Sequence, residues 1–373
     1  MTQHICFLSP YIYPSLVGDA GGKHAGGAEM QQAQIARLLA RNGFRVSVLT
    51  RDFGQTDRQQ IDGITVHKLP NLGQRGVRGL KWINPRLTDA VAALRAVGPD
   101  LVYVRTASAY AAAAAWYARR HGARFLYAGA SDSNFLPVRD RNVSRRDWWL
   151  YRWGLRRADL ILAQNAQQAQ DVAQHLQRPA ALCPNFLTDP AARPGSADGP
   201  VIWVGTMRPL KQPQLFAELA RRMPQRQFVL VGGAQADPAS QALQAELQAM
   251  AAALPNLSLR GHVPPQQVGS LFDGAAALIN TSTHEGFPNT FLQAWIRGVP
   301  SLSFVAPQVE AGVCGTLPCG SVDEMSQRLA QVLSDPLQWE AHSTRVRAHF
   351  QTYHDEPAAQ RRYLALLAPE LAR

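Results

Sequence analysis

The order of its apolar runs constrains this chain more than any other feature. Short β-branched or aliphatic runs alternate with longer helix-like segments, and the sequence goes through that alternation twice. In the first half ICFL, FRVSVLT, ITVHKL, DLVYV, RFLY, LILAQ and ALCP read as strands, with helices expected near 28–41, 86–97, 108–121, 145–157 and 167–177. Strand, helix, strand at this spacing implies a parallel sheet covered on both faces. The text from 184 to 200, PNFLTDPAARPGSADGP, is rich in Pro, Gly, Asp and Ser and reads as a connector. The alternation then restarts with VIWVG, FVLVGG, LSLRGHV, ALIN and SLSF, and helices are expected over 211–222, 240–253, 266–272 and 289–297. Helical text at 322–333, 336–350 and 357–367 follows, with no strand for the last segment to cover in its own domain. The chain is therefore expected to be α/β, with two doubly wound, Rossmann-like domains facing a cleft. The expected bounds are an N-terminal domain over 1–185, a linker over 186–199, a second domain over 200–350, and a C-terminal helix within 351–373 packing back on the first. In such open sheets ligands bind beyond the carboxyl ends of the strands, so the loops there are where chemistry is expected.

Composition removes several alternatives. At 373 residues, 46% hydrophobic and 17% charged, the chain is neither disordered nor fibrous. Its four cysteines form no C-x-x-C pair, which argues against a disulfide framework and a structural zinc site and fits a reducing cytosol. The opening MTQHICFLSP lacks the basic and apolar segments of a signal peptide. The longest apolar run, 107–118, closes on Arg119 and Arg120, short of the roughly 18 residues a membrane span needs. A cytoplasmic protein is expected. The net charge of +11, from 38 basic and 27 acidic residues, suits an anionic partner: a phosphorylated substrate, an acidic membrane surface or a nucleic acid.

The stretch from 280 to 300, NTSTHEGFPNTFLQAWIRGVP, carries the most information. A strand ends at Asn280, a polar loop bears Glu285 and Gly286, and a helix begins near Pro288, where proline suits a first turn. A helix start directly after a strand offers free backbone N–H groups to a phosphate. Glu285 at the loop and Gln293 a little over one turn into the helix are placed to reach one elongated ligand; a strand–loop–helix turn with a capping glutamate is the plainer reading of the same spacing. The segment resembles the glutamate, seven residues, glutamate signature of retaining glycosyltransferases of the GT-B fold, family GT4, and the likeness runs over nearly the whole chain. The resemblance implies that Glu285 faces the transferred sugar, that the amides of Asn289 and Thr290 hold the donor diphosphate, that Gln293 takes the ribose, and that Gly205, Gly286 and Phe287 belong to the donor site with them. Gln293 departs from the pattern, because its neutral amide oxygen accepts a hydroxyl proton without the charge-assisted strength of a carboxylate.

VIWVGTMRPLKQP, residues 201–213, sets Arg208 and Lys211 after the turn glycine Gly205. Two cations there could neutralise a leaving nucleoside diphosphate without a metal. Lys211 matches the family's lysine; the family's arginine position is Thr206 here, and Arg208 is the candidate for its role. In GDAGGKHAGGAEMQQ, residues 18–32, Gly26 and Gly27 precede a helix and resemble the family's GGAE segment on the acceptor side, with Glu29 as a helix cap and Lys23 and His24 in the loop. Many family members carry a histidine after the strand that here reads RFLYAGASDSNF; this chain offers Ser131 and Asp132, available to orient acceptor or sugar, or simply to stabilise a turn. His284 beside Glu285 is the other nearby histidine.

Residues 139–157 hold seven arginines and two aspartates, with Trp148, Trp149 and Trp153 interleaved. That composition suits an anionic lipid interface, stacking on nucleic acid, and equally a helix whose tryptophans fill the core. The resemblance thus implies a retaining, metal-independent hexosyltransferase, with no cofactor beyond its nucleotide diphosphate sugar. Its acceptor would be a glycan or lipid-linked hydroxyl in cell-surface polysaccharide or lipopolysaccharide synthesis, reached in peripheral contact with an anionic inner membrane surface. No nucleic acid partner is expected. The rival readings are a GT-B nucleotide-sugar epimerase or glycan phosphorylase, a catalytically silent GT-B relative and a basic nucleic-acid-binding protein.

Overall fold

The computed structural model describes residues 3–18, 26–70, 83–139 and 143–368. Lys23 and His24, read above as loop residues, lie outside the described residues. Contacts divide the chain into two units, Met1–Asn185 with Gln360–Arg373, and Phe186–Ala359.

The first unit holds β1 (His4–Leu8), β2 (Arg45–Thr50), β3 (Gln59–Ile61), β4 (Ile64–Lys68), β5 (Leu101–Arg105), β6 (Arg124–Ala128), β7 (Leu160–Ala163) and β8 (Ala181–Leu182). Their order across the sheet is β3-β4-β2-β1-β5-β6-β7-β8, parallel except for the β3–β4 hairpin. Its helices are α1 (Tyr13–Val17), α2 (Gly27–Arg41), α3 (Arg86–Val97), α4 (Tyr110–His121), α5 (Arg145–Leu155) and α6 (Ala166–Leu176). The alanine run of α4 has a packing cause. A Cβ on Gly154 of α5 would fall 2.3 Å from the backbone carbon of Ala111, so the two helices touch almost backbone to backbone. Larger side chains on either face would force them apart, at a cost of about 1–3 kcal/mol per overpacked site.

The second unit holds β9 (Val201–Val204), β10 (Phe228–Val231), β11 (Leu257–Arg260), β12 (Ala277–Asn280), β13 (Ser301–Ser303) and β14 (Leu317–Pro318), in the parallel order β11-β10-β9-β12-β13-β14. Its helices are α7 (Pro213–Arg222), α8 (Pro238–Ala252), α9 (Pro265–Val268), α10 (Asn289–Trp295), α11 (Val322–Val332) and α12 (Pro336–Tyr353). The two-residue period of β9 sorts its side chains between two cores. Val201 and Trp203 join Phe216, Leu247 and Met325, while Ile202 joins Phe291, Trp295 and Val346 on the other face.

The stretch expected as a linker lies along the second unit instead of hanging free. Gly195 N–H donates to Arg297 O at 2.9 Å, Ser196 N–H to Ala275 O at 3.0 Å, and a Cβ on Gly199 would fall 1.8 Å from Gly274 O. Its Pro, Gly and Asp residues serve close backbone contact and ion pairing, which composition alone does not distinguish from solvation. The last helix, α13 (Glu356–Leu367), crosses from the second unit to the first at Ala359 and Gln360. Buried Tyr363 lies beside Tyr103 of the first sheet, and burial holds both phenols above their usual range.

All four cysteines are free, and three are buried. Burial pushes the Cys6 thiol far up, Cys183 to about 12 and Cys319 to about 11. Thiolate is the reactive form, so these three should resist modification. A native titration with an aromatic disulfide reagent is expected to register Cys314 promptly and the other three only after denaturation.

Candidate active site

β9 and β12 are neighbours in the second sheet, yet the chain leaves β9 towards β10 on one side and β12 towards β13 on the other. Loops diverging at such a switch point open a crevice beyond the strand ends. After β9, Gly205 N–H donates to Val231 O at 3.0 Å and Met207 N–H to Gly233 O at 3.0 Å. Gly232 (φ +149°) is required beside this turn, since a Cβ there would lie 1.8 Å from Gly205 O. The chain then forms a 3₁₀ turn over Pro209–Lys211, and Gln212 takes φ +45° before Pro213 opens α7. The helix expected from 211 therefore starts two residues later: the left-handed Gln212 breaks the path, and proline suits the new first turn.

The β12 loop is tied to this turn. Asn280 Oδ1 accepts from Ser282 N–H at 2.9 Å, and Thr283 N–H donates to Leu210 O at 2.9 Å. The Trp203 indole N–H donates to Thr281 Oγ1 at 3.0 Å, and that hydroxyl donates to Lys211 O at 2.7 Å. Lys211 and Glu285 form an ion pair across the crevice, and Ser282 Oγ donates to the same carboxylate oxygen at 2.8 Å. The side chains of the pair are 22% and 15% exposed, so it is partly desolvated yet open to a ligand. Arg208 stands at the head of the 3₁₀ turn, and its guanidinium makes no hydrogen bond or ion pair among the described residues. His284 is exposed, with Nδ1 3.2 Å from Thr283 Oγ1.

Past Gly286, the extended backbone of Pro288 leads into α10, which opens on Asn289 and Thr290. Gln293 is buried one turn further, and its carbonyl accepts from Arg297 Nη1 at 3.1 Å. Arg297, 2% exposed, also binds Asp273 through Nε at 2.6 Å and Asp189 through Nη2 at 2.7 Å. Phe287 does not line the crevice with its ring, which packs against His354 at 4.8 Å, Trp295 at 6.0 Å and Phe291 at 6.5 Å. Phe287 is apolar enough to be drawn into the core, leaving only its backbone for a ligand.

This aromatic cluster carries a pH dependence. Burial, then the charge of Arg345, lowers His349 to about 4. A histidine depressed in the folded state binds its proton more readily when unfolded. Its stabilising contribution is complete above about pH 6.5 and falls away as the pH drops towards about 4. His4, His67 and His342 are lowered too, with the same sign. Thermal unfolding from pH 7 to 4 is expected to show this loss, and His349→Phe to flatten part of it.

The first unit places its candidates separately. Gly26 caps α2 in extended conformation, and a Cβ there would meet Glu29 Oε2 at 2.6 Å, so the glutamate folds back over the helix start and Gly27 follows inside it. Ser131 and Asp132 follow β6. Asn134 Oδ1 accepts from the N–H groups of Ala130 and Ser131 at 2.8 and 3.1 Å, and Asp132 Oδ1 accepts from Gln168 Nε2 and Asn165 Nδ2 at 2.8 and 3.2 Å. This pair is thus engaged in holding its turn against α6. Among the described residues no group of three or more His, Cys, Asp or Glu side chains is gathered as a metal ion would need.

Sequence reading missed Thr281, Ser282, Trp203, Gly232 and Arg297. The hydroxyl run TST after a strand was the available signal for the first two; the partners of the others lie far away in sequence.

Two family models match the chain, Glycosyltransferase Family 4 over residues 25–188 and Glycosyl transferases group 1 over residues 199–335. None of the curated proteins matches it by sequence. Among solved structures, sucrose-phosphate synthase from Thermosynechococcus elongatus aligns with a TM-score of 0.77 at 17% identity, covering 99% of each chain. Anabaena HepE in complex with UDP and glucose aligns at 0.71 and 17% identity, covering 98% of this chain and 100% of that one. The lipopolysaccharide outer core galactosyltransferase WaaB aligns at 0.67 and 15%, covering 99% and 100%. These likenesses establish the two-domain GT-B fold, and with the two family models they place the chain among the family 4 glycosyltransferases, as an enzyme of that kind.

Proposed function

We propose that the chain transfers a sugar from a nucleotide diphosphate sugar to a hydroxyl group, with retention at the anomeric carbon and without a metal. The observation that carries this is the Lys211–Glu285 pair joining the β9 and β12 loops at the switch point. In this reading Lys211 and Arg208 receive the diphosphate beside the amides of Asn289 and Thr290. An ammonium has three donors, so Lys211 can bind a phosphate oxygen and keep Glu285. Glu285 orients the sugar, and Gln293 accepts from a ribose hydroxyl. The bond between the anomeric carbon and the phosphate oxygen breaks, the acceptor oxygen bonds the same face of that carbon, and its proton passes to the departing phosphate. Cations fixed where negative charge develops are what such a step needs. The UDP of the HepE complex supports a uridine donor as the first to try.

The proposed acceptor is a glycan or lipid-linked hydroxyl of a surface polysaccharide, reached beside an anionic inner membrane; the likeness to WaaB, a lipopolysaccharide outer core galactosyltransferase, supports this choice. No helix among the described residues is long and apolar enough to cross a membrane. Incubation with a panel of α-linked nucleotide sugars and sugar acceptors, followed by NMR of the product, tests the reading. An α-linked product is expected; a β-linked product removes retention. Nucleotide binding without turnover against any acceptor favours the silent relative, a reading to which Gln293 and the engaged Asp132 lend weight.

A further inference from the structure

The arginine- and tryptophan-rich α5 does not spend all its aromatic side chains on the core. Trp148 and Trp153 pack partly against it, but Trp149 is 62% exposed, and Trp116 of α4 is 41% exposed. Between α3, α4 and α5 the Trp116, Trp149 and Trp153 side chains wall an apolar groove of about 520 Å³ with Leu87 and Val91. That volume falls within the roughly 300–1,000 Å³ typical of ligand sites. Trp116 and Trp153 also wall an adjoining hollow of about 370 Å³ lined by Arg119, Arg120 and Arg157. The groove and this cationic hollow share those two tryptophans, and no acidic residue lines either among the described residues.

Arg119 and Arg120 are exposed at the end of α4, whatever part they play in the helix. Two cations in the last turn of α4 complement its dipole, which is a sufficient reason for one or two basic residues. Arg157 stacks on Trp153, 4.1 Å from the ring centroid, and Arg95 on Trp116 at 5.2 Å, while Arg119 and Arg120 make no ion pair among the described residues. Stacking keeps guanidinium groups level with the tryptophan rings, so apolar and cationic surface share one rim. Tryptophan and arginine together suit the boundary between lipid headgroups and acyl chains.

We propose that this face of the first unit binds anionic phospholipid at a bilayer surface, one acyl chain entering the Trp116–Trp149–Trp153 groove and the headgroup phosphate resting on Arg119, Arg120 and Arg157. The inference names the surface behind the membrane contact proposed above, but it does not depend on sugar transfer.

Flotation of the full chain with vesicles of phosphatidylcholine alone, or mixed equally with phosphatidylglycerol, tests it. The wild type is expected to float with the anionic vesicles, more weakly at high salt, and on the order of tenfold less with neutral ones. Arg119→Gln/Arg120→Gln should weaken binding about twenty-fivefold, from about fivefold per arginine, and Trp149→Ser about tenfold. Absence of binding, equal binding to both vesicles, or unaltered binding of both variants overturns the proposal. So does sedimentation showing a dimer that Trp149→Ser dissociates, since a second copy would then cover the groove. Nucleotide-induced thermal shifts on the same proteins serve as a separate control: a missing shift in the wild type counts against the donor site, and leaves the vesicle result to stand or fall alone.

Discussion

Lys211→Ala is expected to lower kcat by about 10²–10³-fold, the loss seen when one preorganised donor to a developing negative charge is removed. The change also unpairs Glu285, which retains only the Ser282 hydroxyl among the contacts described above. Glu285→Gln, which keeps the shape but removes the charge, should fall in the same range. The double variant should lose far less than the product of the single losses, because groups that act as a unit are not additive. Steady-state kinetics on the three variants measures this. Full additivity would mean that lysine and glutamate act on the substrate independently.

Arg297→Met is expected to be the most destabilising single change in the second unit. The guanidinium is 2% exposed and joins Asp189, from the stretch preceding β9, to Asp273, just before β12, while fixing the Gln293 carbonyl. Removing one partner from a buried ionic cluster leaves the others uncompensated, at about 3–5 kcal/mol. For a unit of this size the loss corresponds to a fall in Tm on the order of 10 °C. Asp189→Asn, which retains a hydrogen-bonding oxygen for the arginine, should cost less. Calorimetric unfolding of both variants checks the ranking, and equal losses would show that charge, rather than the bonded network, sets the cost.

Periodicity made the strands and most helices legible, because parallel strands buried on both faces read as near-continuous apolar runs. The exceptions have local causes. β3 is QQI, a polar edge strand whose only signal was the Asp62–Gly63 turn, with φ of +50° and +78°, both positive as tight hairpins require. β14 has two residues, too few for a pattern. The Pro/Gly text before β9 looked like a linker because composition cannot tell a free loop from one pressed against a unit at Gly195 and Gly199.

The site was legible in a different way. Glu285 and Lys211 stand 74 positions apart, and nothing local in the sequence joins them. Family resemblance implies a donor-site role for both, and the sheet order supplies the reason they meet. Phe287 illustrates the limit: a residue named for the site can send its side chain into the core, which spacing does not reveal.

Calorimetric titration of the wild type and Lys211→Ala with UDP, GDP and ADP tests the central claim, a nucleotide diphosphate held at the β9–β12 switch point. One nucleotide is expected to bind the wild type, and at a hundred times its Kd to raise stability by about 2.7 kcal/mol. Lys211→Ala should bind it at least tenfold more weakly, with Trp149→Ser unchanged. Failure of all three to bind the wild type, or equal binding to Lys211→Ala, would contradict the assignment of the donor site.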